Sequence, residues 1–283
     1  SLFITVKFLL IMTNANGNQN GLLQYFNSST ATIPIKRLHK NGWIDTHNKH
    51  VSLCNRSKPT MVFIGDSITA GLMRYKNVWS KYFGRYKALN LGIGGDQTQH
   101  VLWRIMNINL PHSVKFVIVQ CGSKNIYRNS FTDIANGILK IAVLVEKKYS
   151  DLKLIVTGLL PRDYHSSKRR VKIQKVNDHL QLHAKTLSKN IYFMPQDNDW
   201  VLKNNELNTK YYYIDNLHLN EAGNEKFARS ITKMLHFSSS ISSSPPALLS
   251  LITTTSSLSS SLPPSYDLPS SSSSSTKSTS STK

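Results

Sequence analysis

Residues 61 to 72 read MVFIGDSITAGL. Met61-Val62-Phe63-Ile64 is an unbroken apolar run with the length and composition of a strand buried on both faces. Gly65-Asp66-Ser67 interrupts it. Ile68 then opens a four-three spacing through Leu72, Tyr75, Trp79 and Tyr82, which is one face of a helix. A buried strand that turns directly into an amphipathic helix predicts a layered α/β fold. The serine at the junction lies at the carboxyl end of the strand, where the free N–H groups of a helix start favour negative charge. Asp66 or Ser67 acting only as the helix cap fits the same residues as well.

The same alternation continues outward. Further strand-like runs are Ala88-Leu89-Asn90-Leu91, Phe116 to Val119, Leu154-Ile155-Val156 and Ile191-Tyr192-Phe193-Met194. Between them, Ile134, Ile138, Ile141 and Val145 mark a helix, and Val176, Leu180 and Leu187 mark another more weakly. A last one, from Glu221 to Leu235, carries Phe227, Ile231 and Leu235 on one stripe. Five strands alternating with five helices predict a three-layer α/β/α sandwich around a five-stranded parallel sheet, with functional groups at the carboxyl ends of the strands.

The flanks read differently. Residues 1–42 form an Asn- and Ser-rich stretch expected to be a flexible arm, residues 43–237 the folded domain, and residues 238–283 a Ser/Thr/Pro-rich tail with too little apolar surface to order itself. The tail holds two lysines and one aspartate, so +19 of the formal charge of +20 lies upstream of it. That excess favours acidic partners, whether an anionic lipid surface, phosphate esters or nucleic acid, without choosing among them, and a solvated basic surface with no specific partner fits it at least as well. Aromatic-interleaved basic motifs, zinc-knuckle cysteines and coiled-coil heptads do not occur, so nucleic-acid binding rests on charge alone. Cys54 and Cys121 cannot build a disulfide framework, which suits a reduced compartment. The opening SLFITVKFLLIM is short, broken by Lys7 and followed by TNANGNQNG rather than a small-residue cleavage site. A cytoplasmic location is therefore expected over secretion, and no stretch has the length of a transmembrane segment. The glycosylation triplets at Asn27 and Asn55 would matter only in a secreted protein.

Three more stretches carry candidate chemistry. NLGIGGD, residues 90 to 96, follows the second strand and puts three glycines in a turn that exposes backbone N–H groups. Its spacing is not that of a dinucleotide loop, which would also follow the first strand. Tyr213 to Leu219 contains Asp215 and His218 three apart, a spacing at which a carboxylate can orient an imidazole whose other nitrogen accepts a proton, although by itself the pair fits a plain surface turn better. QCGSKN, residues 120 to 125, ends the third strand with a lysine where a loop of a functional site is expected. Asp96 is expected to cap the helix that carries His100 and Arg104. Lys168-Arg169-Arg170 is expected to be a solvated face, and the four tryptophans core or interface anchors.

Taken in order, these blocks resemble the GDSL or SGNH hydrolase superfamily. Val62 to Ser67, NLGIGGDQTQHVLWR (90 to 104), Gly158 to Arg162 and the Trp43-x-x-x-His47 element look like the catalytic alpha subunits of intracellular, type I platelet-activating-factor acetylhydrolase. The resemblance spans residues 43 to 236 and implies a flavodoxin-like sheet and hydrolysis of a small acyl ester, acetyl-type or phospholipid-like, through an acyl-serine. It implies Ser67 as nucleophile, His218 as general base and then acid, Asp215 as its orienter, and the N–H groups of Ser67 and Gly95 as oxyanion donors. It also implies no metal or cofactor, and a homodimer. The third block departs from the family, whose oxyanion asparagine falls where this chain has Lys124, with Asn125 one place later. Lys124 donates instead, or Asn125 takes over, or the third donor is lost. The last case leaves an impaired copy, a binding module such as a mobile element could carry beside nucleic-acid-binding segments.

Overall fold

The computed structural model describes residues 29–243, so the first part of the arm and the Ser/Thr/Pro-rich tail beyond residue 243 lie outside the described residues. Five strands, β1 (Met61–Gly65), β2 (Leu89–Gly92), β3 (Phe116–Gln120), β4 (Lys153–Thr157) and β5 (Ile191–Met194), form one sheet in the order β2-β1-β3-β4-β5. Every pairing is parallel, with Val62 opposite Leu89 on one side and Val117 on the other. The expected α/β/α sandwich with five parallel strands is therefore what forms. Strand order reverses beside β1, between β2 and β3, and that reversal opens a crevice at the carboxyl ends of β1 and β3.

Alternation along each strand divides the core. Val62, Ile64, Val117, Val119, Leu154 and Val156 face one side, under α1 (Trp43–Arg56), α4 (Thr98–Met106), α5 (Phe131–Lys148) and α6 (Lys168–Leu187). Met61, Phe63, Ile118 and Ile155 face the other, under α2 (Ser67–Gly71), α3 (Lys76–Phe83) and α7 (Glu221–Ser243). Both faces are apolar because both are covered, which is why β1, β3 and β4 read as continuous apolar runs. Each fully buried Val, Ile or Leu here contributes about 1.5–3 kcal/mol.

Four expectations need correcting. The single helix read over Ile68 to Tyr82 is two, α2 and α3. The N–H of Leu72 bonds Thr69 O and that of Arg74 bonds Gly71 O, so the backbone tightens into turns before Tyr75, in extended conformation, starts α3. The apolar stripe survives the break because Ile68, Leu72, Trp79 and Phe83 stay on the same core face. Second, the described part of the arm packs. Ala31 and Thr32 are buried, Thr98 Oγ1 donates to Ala31 O at 2.7 Å, and the Ile35 N–H bonds Gln99 O at 3.1 Å. Its polar composition hid a backbone that supplies partners to the start of α4. Third, α7 runs to Ser243, past the boundary that composition set at Ser238, because Ser238 is small enough to be fully buried three residues after Leu235. Fourth, Arg170 is buried rather than solvated, and its guanidinium donates to the carbonyls of Arg162 and Tyr164 at 3.2 and 2.9 Å. Trp43, Trp79 and Trp200 are core residues, and Trp103 packs on Trp43 at 5.3 Å between ring centres.

Candidate active site

Asp66, in extended conformation, caps α2 by accepting the Ile68 N–H on Oδ1 at 2.9 Å. The cap leaves Ser67 as the first helical residue, half-buried, with its hydroxyl at the rim of the sheet. Gly65 is required one step earlier. A Cβ there would lie 1.8 Å from the Gln120 carbonyl oxygen and 2.2 Å from Thr69 Oγ1, so no side chain fits between β1 and β3. Burial pushes the Asp66 carboxyl up to about 7, with the charge of Asp96 acting the same way and the Ile68 N–H against it.

The loop before α7 brings the Asp/His pair to this rim. An antiparallel bridge joins Tyr212 to Leu219, and the Tyr213 N–H bonds His218 O at 2.8 Å, closing a short turn. Inside it, Asp215 Oδ1 accepts the N–H groups of Leu217 and His218 at 3.1 and 2.9 Å. The other oxygen, Oδ2, is 2.5 Å from His218 Nδ1, and His218 Nε2 is 2.9 Å from Ser67 Oγ. Partial burial pushes the Asp215 carboxyl up, but the His218 side chain and the two N–H groups outweigh it and hold it below the ordinary carboxylate value. An ionised Asp215 keeps the proton of a neutral His218 on Nδ1 and leaves Nε2 free to accept from Ser67. The three residues, far apart in sequence, thus form one hydrogen-bonded line.

The glycine turn stands beside it. A side chain at Gly94 would approach Ser67 Cβ to 3.9 Å, and Gly95 has φ +78°, a conformation suited to glycine. Two cations of the arm reach the Gly94 carbonyl, Arg37 Nη1 at 3.0 Å and Lys40 Nζ at 2.7 Å. That carbonyl and the Gly95 N–H belong to one peptide unit, so cations on the oxygen polarise the unit and strengthen its N–H as a donor. Arg37 and Lys40 escaped sequence reading. Their only signal was a basic run, IKRLHK, just ahead of Trp43.

Asp96 does not cap α4. It is fully buried, 3.0 Å from Arg104 Nε, and accepts the Trp43 Nε1–H at 2.7 Å. Arg104 in turn donates to the carbonyls of Leu91 and Gly65 at 2.5 and 3.3 Å, tying the ends of β2 and β1 to one side chain. Gln97 takes the cap position, and its N–H bonds Nδ1 of His100 at 3.0 Å. Burial, with Arg37 and Arg104 nearby, lowers His100 to about 4, so it is a neutral structural imidazole at pH 7.

The third block splits. Asn125 is fully buried, with its amide hydrogens on Gln99 Oε1 (3.0 Å) and Asn129 Oδ1 (3.1 Å) and its oxygen taking the Thr98 N–H (3.0 Å). That network leaves Asn125 no hydrogen for an oxyanion. Lys124 is exposed, and its ammonium lies 5.4 Å from the centre of the Tyr127 ring. Cys121 is buried, its thiol pushed well up by burial, and so is no rival nucleophile. Among the described residues, no cluster of three or more His, Cys, Asp and Glu could hold a metal ion, and no helix is long and apolar enough to cross a membrane.

Comparison with known proteins gives this geometry its context. The profile of the GDSL-like lipase/acylhydrolase family matches residues 63–226. The alpha2 subunit of human platelet-activating factor acetylhydrolase IB is 33% identical over 212 residues, which cover 74% of this chain and 91% of that subunit. The bovine alpha1 subunit is 32% identical over 211 residues, covering 74% of this chain and 89% of that subunit. In fold, a GDSL-like lipase from Bacteroides thetaiotaomicron superposes with a TM-score of 0.58 at 20% identity, over 67% of this chain and 97% of that one.

Proposed function

The chain belongs to the GDSL-like lipase/acylhydrolase family, and from that premise we propose that it is a serine esterase removing a small, acetyl-type acyl group through an acyl-serine intermediate. As a member of that family it is a hydrolase of acyl esters. The observation that carries the finer reading is the unbroken line from Asp215 through His218 to Ser67 beside the free turn at Gly95.

In the proposed reaction His218 Nε2 takes the Ser67 proton as Oγ attacks the ester carbonyl. The N–H groups of Ser67 and Gly95 receive the developing oxyanion, and Asp215 stabilises the imidazolium. His218 then returns the proton to the departing alkoxide, leaving an acyl-serine and a free alcohol. Water, deprotonated by the same nitrogen, attacks the acyl-serine; the acyl group leaves as the free acid and His218 returns the proton to Ser67 Oγ. A fluorophosphonate probe is expected to label the protein at Ser67 alone, read by peptide mass spectrometry. Labelling elsewhere, or none, would sink the proposal.

Lys124 tunes this reaction downward. Asn125 has no spare hydrogen, and an ammonium resting on Tyr127 is a larger, more mobile group than the amide it replaces. One oxyanion donor is worth about a hundred- to a thousand-fold in turnover. Lys124→Asn is therefore expected to raise kcat for 4-nitrophenyl acetate by about ten-fold or more, recovering part of that range. A fall would instead make Lys124 the third donor. The same residue favours a second reading, an impaired family member kept as a binding module, which an unlabelled Ser67 would support. A cytoplasmic homodimer belongs to the first reading, supported by two free, buried cysteines and by likeness to acetylhydrolase subunits. Contact with nucleic acid rests on net charge alone.

A further inference from the structure

A cavity of about 600 Å³ opens beside the glycine turn, between the arm and the loop after β3. Gly95 lines it, and so do the basic side chains of Lys36, Arg37, His39, Lys124 and Arg128. We propose that this cavity binds an anionic group, a carboxylate, phosphate or sulfate, carried by the ester whose carbonyl Ser67 attacks. The inference rests on the esterase reading and adds the class of substrate to it.

A basic chain shows cations everywhere, so the charge balance of the cavity decides. Elsewhere some of the cations are matched, Lys81 with Glu225, Arg162 and Arg169 with Asp163, Lys226 with Asp197 and Asp199, and three other cavities each carry a carboxylate in their lining, Asp197, Asp151 or Asp199. No Asp or Glu lines this cavity. Lys36 and Arg128 form no ion pair among the described residues. Arg37 is 3.9 Å from Asp96, but that carboxylate is already held by Arg104 at 3.0 Å. Residues 1–28 cannot supply the missing charge, since they contain no Asp or Glu.

Position ties the cavity to the chemistry. Gly95, the expected oxyanion donor, and Lys124, one residue before the buried Asn125, both line it. An ester held at Gly95 would therefore extend one arm among these cations. Their guanidinium and ammonium groups would meet an anion with charge-assisted bonds. Cations that converge from the arm and from the loop after β3, with no counter-charge, select against neutral substrates and against cationic ones.

Two ester pairs test this on the full-length protein. The first is the 4-nitrophenyl ester of hydrogen glutarate against that of methyl glutarate, with charge on the acyl side. The second is 4-acetoxybenzoate against its methyl ester, with charge on the alcohol side. In one pair, kcat/KM is expected to favour the anion by about ten-fold at ~20 mM salt and to lose that preference at ~0.5 M, where screening is nearly complete. The ratio should also fall toward one in a Lys36→Gln/Arg128→Gln variant. Competition by inorganic phosphate, sulfate and acetate then tells which anion chemistry the cavity prefers. Turnover of the neutral members with no anionic preference in either pair would overturn the inference and leave the esterase reading standing. If no ester of either pair is cleaved, the esterase reading fails instead, and calorimetric titration with inorganic phosphate and sulfate decides the cavity. Binding weakened in the double variant supports it, and no binding overturns it.

Discussion

Ser67→Ala is expected to lower kcat/KM for 4-nitrophenyl acetate by at least about a thousand-fold, with no loss of thermal stability. The activity loss follows because nucleophile, base and orienter act as a unit, and removing any one of them forfeits most of their joint acceleration. What remains is the binding and oxyanion contribution of Gly95 and its neighbours, itself about 10³- to 10⁴-fold over water. Stability is spared because the helix cap is the Asp66 carboxylate, not the serine, and Ser67 is only half-buried. Non-additivity gives the sharper check. Adding His218→Ala to Ser67→Ala should cost little more than either alone, since His218 has no proton to move once the hydroxyl is gone. Initial rates on enzyme purified away from host esterases, with melting curves for each variant, make the measurement. Full multiplicativity of the two single losses, or wild-type rates in Ser67→Ala, would place the reaction elsewhere.

The parts of this site that sequence reading reached are those set by local rules. Met61 to Ile64 has the pattern of a buried strand, and a Gly-Asp-Ser turn at its end puts the serine at the strand's carboxyl end, though a plain helix cap fits those residues as well. Asp215 and His218 lie close enough in sequence for a short turn to pair them, so their bond was open to inference. The parts it missed depend on contacts between distant segments. Asp96 read as a cap because an acidic residue before a helix usually is one, and nothing local revealed that Arg104 and Trp43 would enclose it. Arg37 and Lys40 fall within the arm expected to be flexible and attract no reading of their own, because what orders them is a carbonyl more than fifty residues away in the chain. Lys124 and Asn125 admit three alternatives in sequence. Only the packing of Asn125 among Gln99, Asn129 and Thr98 removed one of them. Composition likewise misplaced both ends of the domain, since Ala31 and Ser238 are buried in stretches whose average is polar.

The second large effect is expected at Arg104, which touches none of the reacting atoms. Its side chain is 1% exposed and faces Asp96, which is fully buried. Desolvation is the largest influence on Asp96 and pushes its carboxyl up, while Arg104, the Trp43 N–H and Arg37 pull it back. In Arg104→Met the main counterweight is gone and a buried carboxylate is left short of charge. Breaking a buried pair in this way costs about 3–5 kcal/mol. For a domain near 200 residues, that corresponds to about 6–20 °C in Tm. The pH dependence carries a sign that a simple packing defect would lack. A carboxyl whose folded-state pKa lies above its unfolded value contributes stability that is present at low pH and lost as pH rises through the folded pKa. The Arg104→Met protein should therefore lose more stability than the wild type between pH 5 and pH 8. Asp96→Asn added to it should flatten that slope and recover part of the Tm, because a neutral amide can still accept from Trp43. Activity should fall in Arg104→Met even below its melting range. The carbonyls that Arg104 holds belong to Gly65 and Leu91, the last fixed points before the serine turn and the glycine turn. Freed of that clamp, Ser67 and Gly95 lose their common reference. Such a loss lowers kcat far more than it raises KM, because an oxyanion hole out of register with its nucleophile weakens only the transition state. A variant that melts lower but keeps full kcat at 20 °C would reduce Arg104 to a packing residue.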